Sequence, residues 1–435
     1  MAGPAIRAFE MAKAIARVAE VRLVSTSSSS MIRTDFDVLL SRTERELREH
    51  ERWSDVVIFQ GHFLQAHPWM IQSDRVIVAD IYDPMHLEQL EQGKDLPGMD
   101  QFAEASHVTR VLNDQIERAD FMLCASEKQR DFWLGQLAGV GRINPATYEQ
   151  DASLRSLLAV VPFGVADDAP VQRAHGIKGV VPGIGAQDKV IIWGGGIYNW
   201  FDPLTLIHAV HNLSLRRADV RLFFLGVKHP NPDVATMRMA FDAQELARQL
   251  GLLDTVVFFN EGWVPYEQRA DYLLDGDVGV STHLDHLETA FSFRTRILDY
   301  LWASLPVVST AGDTFAALIA EHSLGRVVPP SDVAALEVAL EELLYDDEER
   351  RSIASKVGVF AQTMTWSRSL SPLIDFCLAP TRAADLQRGI LSLRLADLDE
   401  LRRRVEGVEA SNSWKLTKPF RALSTASQRV LRKLR

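Results

Sequence analysis

Two acids and two arginines lie close together in residues 286–310, which read HLETAFSFRTRILDYLWASLPVVST. The acids are Glu288 and Asp299, and the bases between them are Arg294 and Arg296. The arginines supply fixed positive charge, which suits a diphosphate. A carboxylate accepts hydrogen bonds without donating any, so Asp299 suits two vicinal ribose hydroxyls. We therefore expect this segment to bind a nucleotide-sugar.

The pattern around these side chains predicts a helix followed by a buried strand. Apolar residues recur at helical spacing at Ile297, Leu298, Leu301 and Trp302. The helix should begin near Phe293 or Arg294 and end before Pro306, and residues 306–308 should form a buried strand. A helix N-terminus presents free N–H groups and a positive dipole end, which would help the arginines to hold a diphosphate. The alternative is a surface helix covered by salt bridges.

The order of acid, loop, helix, second acid and apolar strand resembles the donor site of retaining glycosyltransferases of family four, which have the two-domain GT-B fold. Other segments fall where that family has its glycine loop, later strands and interdomain crossing, namely residues 191–210, 221–226, 256–283 and 160–165. The resemblance covers roughly residues 1–378. It implies an α/β protein with two Rossmann-like, doubly wound parallel-sheet domains that face a cleft.

The sequence departs from the family pattern in two places. Family members commonly carry two glutamates separated by seven residues, whereas Glu288 and Asp299 have ten residues between them and Phe291 occupies the strict first position. The family's usual arginine and lysine near the glycine loop are missing. We therefore assign the diphosphate charge to Arg294 and Arg296, and we expect Glu288 to lie near the transferred sugar.

The resemblance also implies how the donor would be held. The glycine loop Gly194, Gly195 and Gly196 would present backbone N–H groups to the diphosphate, and His283 would face the same pocket. Asp202 followed by Pro203 predicts an N-cap and the first residue of a second helix aimed at that charge. Family members are thought to use front-face attack, in which the leaving diphosphate helps to deprotonate the acceptor. We expect neither a metal ion nor a cofactor besides the donor substrate.

Acceptor-side residues are predicted from the carboxyl ends of strands, where ligands of parallel sheets gather. Asp83 and His62 are the preferred acceptor contacts. The alternatives are that Asp83 caps a turn before a proline and that His62 is an ordinary loop residue. The resemblance places Gly3 and Arg7 on a loop that faces the cleft, where the family binds donor phosphate or acceptor.

The first half of the sequence alternates apolar runs with helical segments, which predicts a parallel doubly wound sheet. The apolar runs are residues 21–25, 56–60, 76–81, 121–126 and 159–163. In the family a strand precedes the first glycine loop, but here residues 1–16 already resemble that loop and its helix. Because this strand lies in the middle of such a sheet, we hypothesise that the natural start lies upstream of Met1.

The composition narrows the class of protein further. The chain has 435 residues, of which 47% are hydrophobic, enough for two domains with substantial cores. It has only two cysteines, which favours a reducing cytoplasm over a disulfide framework. The net charge of −11 disfavours general nucleic-acid binding. No apolar stretch is long enough to span a membrane, and no signal peptide is recognisable.

The C-terminal part has a different character from the rest. Residues 410–435 contain seven basic residues and no acid, interleaved with apolar side chains, which favours an anchor on the anionic inner face of the plasma membrane. The alternatives are a solvated tail or a helix that docks on a partner. In residues 379–409 apolar residues recur at steps of three and four, which predicts a coiled-coil-like helix and a possible homodimer.

Four parts are therefore expected: an acceptor-side domain over residues 1–175, a donor-binding domain over 176–378, the coiled-coil-like helix over 379–409 and the basic tail over 410–435. The predicted function is retaining transfer of a sugar from a nucleotide-sugar to a glycan or lipid-linked acceptor in cell-surface polysaccharide biosynthesis. The alternatives are a catalytically silent scaffold that binds a partner and a nucleotide-sugar 2-epimerase.

Overall fold

The computed structural model describes residues 3–29, 31–227, 237–262, 264–389, 393–411, 413, 414 and 417. The strands are β1 (Arg22–Ser25), β2 (Asp37–Leu40), β3 (Val56–Gln60), β4 (Val76–Asp80), β5 (Phe121–Cys124), β6 (Leu158–Val160), β7 (Lys189–Trp193), β8 (Val220–Phe224), β9 (Val257–Phe259), β10 (Val278–Ser281), β11 (Val307–Thr310) and β12 (Gly325–Val328).

Helices connect these strands. In the first half they are α1 (Gly3–Ile15), α2 (Glu44–Trp53), α3 (Phe63–Ala66), α4 (Met85–Gln92), α5 (Gly98–Arg118), α6 (Glu127–Gly139) and α7 (Pro145–Gln150). In the second half they are α8 (Pro203–Ser214), α9 (Arg238–Gln249), α10 (Arg269–Leu273), α11 (Leu287–Phe291), α12 (Thr295–Trp302), α13 (Thr314–His322), α14 (Val333–Tyr345), α15 (Asp347–Ala361), α16 (Trp366–Ser369), α17 (Ser371–Leu378), α18 (Ala384–Gln387) and α19 (Leu393–Ala410).

In the described part of the chain the strands form three parallel sheets. The largest has the order β12-β11-β10-β7-β8-β9, which is a doubly wound arrangement with its strand order reversing beside β7. The second sheet has the order β3-β4-β5-β6, and β1 pairs with β2 in a separate two-stranded sheet. The α/β class and the two Rossmann-like sheets that the sequence predicts are confirmed.

The five strands predicted in the first half are all present, as β1, β3, β4, β5 and β6. The sequence pattern missed β2, a strand of four residues whose side chains are exposed or half-buried and therefore give no apolar run. In the described part of the chain α1 comes before every strand, and β1 is not paired with β3. The hypothesis about the natural start stays a prediction.

Residues that follow the second-half sheet pack back against the first half of the chain. Val165 forms a β-bridge with Thr365, and the rings of Phe121 and Phe376 stack with centroids 4.3 Å apart. Asp385 then forms a buried ion pair with Arg142, with Nε and Oδ2 2.7 Å apart. Within the predicted 379–409 segment the structure describes a short helix, α18, and the long helix α19 from Leu393 to Ala410.

The apolar side chains at the C-terminal end of α19 face solvent. Leu401, Val405 and Val408 are 51–56% exposed. Most of the predicted basic tail lies outside the described residues. Among the described helices, none is long and apolar enough to cross a bilayer.

Candidate active site

A cleft with a cavity of about 590 Å³ lies between the two larger sheets. Its walls come from the loops and helices that follow the carboxyl ends of β4, β6, β7 and β8, together with the start of α1 and residues 288–302. Ligands of parallel α/β proteins bind at this edge. Of the predicted site residues, the cleft is lined by Gly3, Asp83, Gly194, Gly195, Gly196, Glu288, Arg294, Arg296 and Asp299.

The predicted helix and strand around the acids and arginines are confirmed as α12 and β11. α12 begins at Thr295, one residue after Arg294, and ends at Trp302. β11 follows from Val307 to Thr310 and is buried along its whole length. This arrangement brings Arg294 and Arg296 to the first turn of a helix at the mouth of the cleft.

A buried tyrosine holds the glycine loop that follows β7. The Gly194 amide donates a hydrogen bond of 2.7 Å to the Tyr300 hydroxyl, which itself donates to the Val280 carbonyl at 2.8 Å. A Cβ at Gly194 would come within 3.3 Å of the Tyr300 ring, and Gly195 has a φ of +78°. Glycines therefore allow the backbone to pass close to Tyr300 and to turn toward the cleft.

Tyr300 is a residue that sequence reasoning placed on the helix without giving it a role. Its ring also covers Gly279, where an added Cβ would lie 2.4 Å from a ring atom. The tyrosine thus joins α12, β10 and the loop after β7. The pairing of a large aromatic with a strand glycine in a neighbouring element could not be read from either residue alone.

Arg296 offers a buried positive charge with an open hydrogen-bonding position. Its Nη2 donates to the Gly196 carbonyl at 2.9 Å, and its guanidinium lies over the rings of Trp193 and Phe201, 4.2 and 3.9 Å from their centroids. Its Nη1 is buried and has no partner among the described residues. Burial lowers the pKa of Arg296 to about 10, so the group still carries its charge at neutral pH. An anion at the glycine loop would satisfy this cation.

Arg294 and Glu288 form a buried, two-pronged ion pair. Arg294 Nη1 donates to Glu288 Oε1 at 3.0 Å and Nη2 donates to Oε2 at 2.7 Å. Both side chains are less than 5% exposed. The Arg294 Nε has no partner among the residues described. Glu288 is therefore charge-balanced before any ligand arrives, which the sequence pattern did not indicate.

Asp83 and Glu88 form a carboxyl pair on the opposite wall. Each lies within hydrogen-bond reach of the other, and the neighbouring charge of Glu288 acts on both. Burial, together with the charges of Glu288 and Asp80, raises the pKa of Asp83 to about 6, although the hydrogen bond with Glu88 acts to lower it. Burial and the charges of Asp83 and Glu288 raise the pKa of Glu88 well above its ordinary value. Sequence reasoning missed Glu88, although its place in the first turn of α4, five residues after Asp83, was a possible signal.

Asp299 lines the cleft beside an arginine that sequence reasoning also missed. Arg269 Nε lies 3.3 Å from Asp299 Oδ1, and the Arg269 guanidinium is placed over the rings of Tyr266 and Trp302 at 3.7 and 4.0 Å from their centroids. The Asp299 side chain is 40% exposed. It therefore retains acceptor capacity for ribose hydroxyls.

Asp202 caps the helix that follows the glycine loop, as predicted. Its carboxylate accepts hydrogen bonds from the amide and the hydroxyl of Thr205, at 3.0 and 2.7 Å. Pro203 is the first residue of α8. Asp202 itself is buried, so its charge is used in the cap rather than presented to a ligand.

Arg7 lies behind the cleft wall instead of on the cleft surface. It is fully buried, donates to both Asp80 oxygens at 2.6 and 2.8 Å, and donates to the Val161 carbonyl at 2.8 Å. The prediction that Arg7 contacts donor phosphate or acceptor therefore has to be corrected: its charge is already paired in the interior, where it joins α1 to β4.

The two predicted histidines do not reach the cleft surface either. His62 is exposed, hydrogen-bonds to Gln65 at 3.2 Å and stacks against His107. His283 is fully buried, with its Nε2 3.6 Å from Asp313 Oδ2. Burial is the main cause that lowers the pKa of His283 to about 3, so the ring is neutral at physiological pH. Neither side chain lines the cavity.

The sequence and structure comparisons agree with this geometry. Residues 188–346 match the family model described as Glycosyl transferases group 1. A D-inositol 3-phosphate glycosyltransferase of Corynebacterium urealyticum is 26% identical over 195 residues, 44% of this chain and 43% of that protein. The protein of the same name from Corynebacterium aurimucosum is 24% identical over 280 residues, 62% of each chain. The chain thus spans less than two thirds of these relatives.

Solved structures of low sequence identity share the fold. WaaG, a glycosyltransferase involved in lipopolysaccharide biosynthesis, has a TM-score of 0.56 and 18% identity, covering 86% of this chain and 96% of its own. Sucrose-phosphate synthase of Thermosynechococcus elongatus has a TM-score of 0.61 and 14% identity, with 87% and 94% covered. HepE of Anabaena, solved in complex with UDP and glucose, has a TM-score of 0.61 and 13% identity, with 86% and 96% covered.

Two facing Rossmann-like sheets with a cleft at their carboxyl ends define the GT-B class of glycosyltransferases. Within that fold, residues 188–346 are the part of the chain that matches the group 1 glycosyltransferase model. The resemblance to family four that the motifs indicated is confirmed at this level.

Proposed function

We propose that this protein transfers a sugar from a nucleoside-diphosphate sugar to a glycan or lipid-linked acceptor, with retention of anomeric configuration. The observation that carries the proposal is the convergence of the glycine loop, the open Nη1 of buried Arg296 and the first turn of α12 on one side of the cleft. These groups together form a site for a diphosphate that becomes more negative as the glycosidic bond breaks.

The roles of the donor-side residues follow from their contacts. Arg296 contacts the diphosphate through Nη1, and the amides of Gly195 and Gly196 supply further donors. Asp299 accepts hydrogen bonds from the ribose hydroxyls. Because Glu288 is paired with Arg294, the two act as one unit beside the transferred sugar. The donor domain extends over residues 176–378 and the acceptor-side domain over residues 1–175.

The acceptor enters from the wall that holds Asp83. In front-face attack the leaving diphosphate takes the acceptor proton, so no nucleophilic side chain is required. The arginines bind the diphosphate more strongly as its negative charge grows in the transition state, and this lowers the barrier to transfer. Three arginines lie on the donor wall where a metal could otherwise balance the diphosphate, and we propose that transfer needs no metal ion.

UDP-sugars are the first donors to test, because HepE was solved with UDP and glucose. The role in cell-surface polysaccharide biosynthesis, the peripheral position on the inner face of the plasma membrane and the cytoplasmic setting belong to the proposal. The membrane position rests on the basic composition of residues 410–435, and the cytoplasmic setting rests on the presence of only two cysteines. The exposed apolar side chains of α19 support pairing with a second copy.

The test is thermal stabilisation and titration calorimetry of the intact chain with UDP, GDP, dTDP and ADP. One nucleotide should bind, and a ligand present at 100 times its Kd should stabilise the protein by about 2.7 kcal/mol. Arg296→Ala and Asp299→Ala should each remove about half of this stabilisation or more at the same nucleotide concentration. Arg173→Ala, which changes an exposed arginine outside the cleft, serves as the matched control.

Transfer is then measured with the nucleotide-sugar that the binding test selects. Product anomers assigned by NMR decide between retention and inversion, and a chelator tests the absence of a metal requirement. If no nucleotide binds to the intact chain, the proposed function is wrong and the scaffold alternative takes its place. Interconversion of the donor without transfer would favour the epimerase.

A further inference from the structure

Three carboxylates meet at the acceptor side of the cleft. Glu88 lies in α4, Asp83 lies two residues before that helix, and Glu288 enters from α11 on the donor wall. Asp83 and Glu88 are within hydrogen-bond reach of each other, and the Glu288 charge acts on both. A ligand bound here must therefore tolerate a concentrated negative field.

One arginine faces this group, and its charge is already engaged. Arg294 makes both of its fork hydrogen bonds to Glu288. That pair is neutral overall, so Asp83 and Glu88 are left without a balancing cation. Even if these two carboxyl groups share a single proton, one negative charge remains on the acceptor side.

The other groups around Asp83 do not restore the balance. Asp80 is buried in its own ion pair with Arg7. Tyr82 and Tyr198 lie close by, and burial raises the pKa of both phenols, so they stay neutral. The other nearby cation is Arg296, whose charge reaches Tyr198 but whose guanidinium lies over Trp193 and Phe201 on the donor wall.

Two buried polar atoms beside this group lack a hydrogen-bond partner among the described residues. They are Asp83 Oδ1, which is an acceptor, and Arg294 Nε, which is a donor. The Arg294 side chain is only 4% exposed and lines the cleft. A hydroxyl group can donate to a carboxylate and accept from an arginine at the same time, whereas a phosphate or sulfate oxygen cannot donate to Asp83.

We propose that the sugar ring held between Asp83 and Glu288 is uncharged and donates hydrogen bonds from its hydroxyl groups to the Asp83 and Glu88 carboxylates. The carboxylates exclude acceptors that carry phosphate, sulfate or carboxylate on that ring. The inference deepens the proposed function, on which it rests, by naming the class of acceptor ring. The proposal concerns only the acceptor ring that lies inside the cleft. Other parts of a longer glycan or lipid-linked acceptor can carry charge.

The test measures binding of matched monosaccharides to the full chain by saturation-transfer NMR, with UDP present. Glucose, galactose and mannose are each compared with their 6-phosphate and 6-sulfate esters. We expect at least one neutral sugar to bind at least about tenfold more tightly than both of its esters, because like charges facing each other in a cleft oppose binding. The measurement is repeated from pH 5 to 8. Because sulfate esters keep their charge over this range, any change in their binding comes from titration of the protein and not of the sugar.

Equal or tighter binding of an ester overturns the proposal, and so does the absence of measurable binding by every neutral sugar. The double variant Asp83→Asn, Glu88→Gln keeps the side-chain shapes and removes the charge. In this variant the neutral sugar should bind more weakly. The ratio of its affinity to that of the sulfate ester should fall at least about tenfold. Asp131→Asn, which changes an exposed acid on α6, should alter neither quantity.

UDP affinity measured on the same samples separates this inference from the proposed function. If UDP does not bind, the proposed function fails whatever the sugars do. If UDP binds but the neutral and anionic sugars are not distinguished, only the inference about the acceptor ring is wrong. A difference that persists unchanged in the double variant would likewise show that other groups select the sugar.

Discussion

The two walls of the cleft bring different charged groups to the space between them. The donor wall presents Arg269, Arg294 and Arg296 together with Glu288 and Asp299. The acceptor wall presents two carboxyl groups and, among its described lining residues, no lysine or arginine. A diphosphate is attracted to the first wall and repelled by the second, so this difference orients the donor before any contact to its sugar forms.

The walls also differ in how their charges are supported. On the donor wall Arg296 is held by a backbone carbonyl and two aromatic rings, which leaves one N–H group open. Behind the acceptor wall Arg7 uses its donors within the interior. The same residue type thus serves ligand binding on one side and folding on the other, and substitutions should separate the two uses.

The largest effect is expected from Arg7→Met. Removing one partner of a buried ion pair leaves Asp80 uncompensated, which should lower the free energy of unfolding by about 3–5 kcal/mol. UDP affinity at a temperature where the variant is folded should stay within twofold of the unchanged protein. Urea unfolding and titration calorimetry measure the two quantities, with exposed Arg173→Met as the control.

A large loss of UDP affinity in a folded Arg7→Met protein would restore the original expectation that Arg7 contacts the donor. Asp80→Asn provides the second arm of the test. It removes the carboxylate charge instead of the guanidinium and should destabilise the same region, because Arg7 is then buried without a counter-charge.

Arg296→Ala should produce the opposite pattern on the donor wall. Loss of a hydrogen bond to a charged group is worth about 1.5–3 kcal/mol, so UDP affinity should fall roughly tenfold to a hundredfold. Arg296→Lys keeps the charge but loses the planar guanidinium, so its UDP affinity should lie between those of the unchanged protein and Arg296→Ala. Calorimetry that gives the same Kd for all three proteins would remove Arg296 from the donor site.

The donor wall was more predictable from sequence than the acceptor wall. Arg294, Arg296 and Asp299 lie within six residues of one another, and the helical period around them fixes where they face. The acidic group on the acceptor side combines Asp83 and Glu88 with Glu288, which lies about 200 residues further along the chain and enters from the donor wall. Spacing along the sequence contains no information about such a group until the fold is known.

Two of the wrong predictions, those for Arg7 and His283, have a common physical cause. Position after a strand, or on a loop that the family resemblance places at the cleft, predicts that a residue lies near the ligand edge of a sheet, but it does not say whether the side chain is buried against a partner. The sequence places Arg7 and His283 near this edge of the sheets, yet both side chains are fully buried. Glu288 lines the cleft, whereas its pairing with Arg294 was not foreseen.

A pH effect is expected from Asp83 on the acceptor wall. Its pKa is about 6 in the folded protein against an ordinary value of 3.8, so its stabilising contribution is complete below about pH 3.8 and is lost as the pH rises through 6. Asp83→Asn should therefore stabilise the protein at pH 8, by up to about 3 kcal/mol, and have no such effect at pH 4. Urea unfolding at both pH values measures this.

Asp131→Asn is the matched control, because it changes an exposed acid and should give no pH-dependent gain. A gain of equal size at pH 4 and pH 8 would mean that charge is not its origin. Loss of stability at pH 8 would mean that the Asp83 carboxylate is held by groups that favour ionisation, which would contradict the negative field assigned to the acceptor wall.

The smallest effect is expected from Tyr300→Phe, which leaves the ring in place over Gly279 and removes the hydroxyl that accepts from Gly194. One buried backbone N–H group then lacks its acceptor, at a cost of about 1–3 kcal/mol in stability. The glycine loop should lose its defined position beside Arg296, so UDP affinity should fall severalfold. Urea unfolding and calorimetry measure both. Unchanged affinity in a destabilised protein would show that Arg296 alone determines how the donor wall holds the diphosphate, without help from the loop.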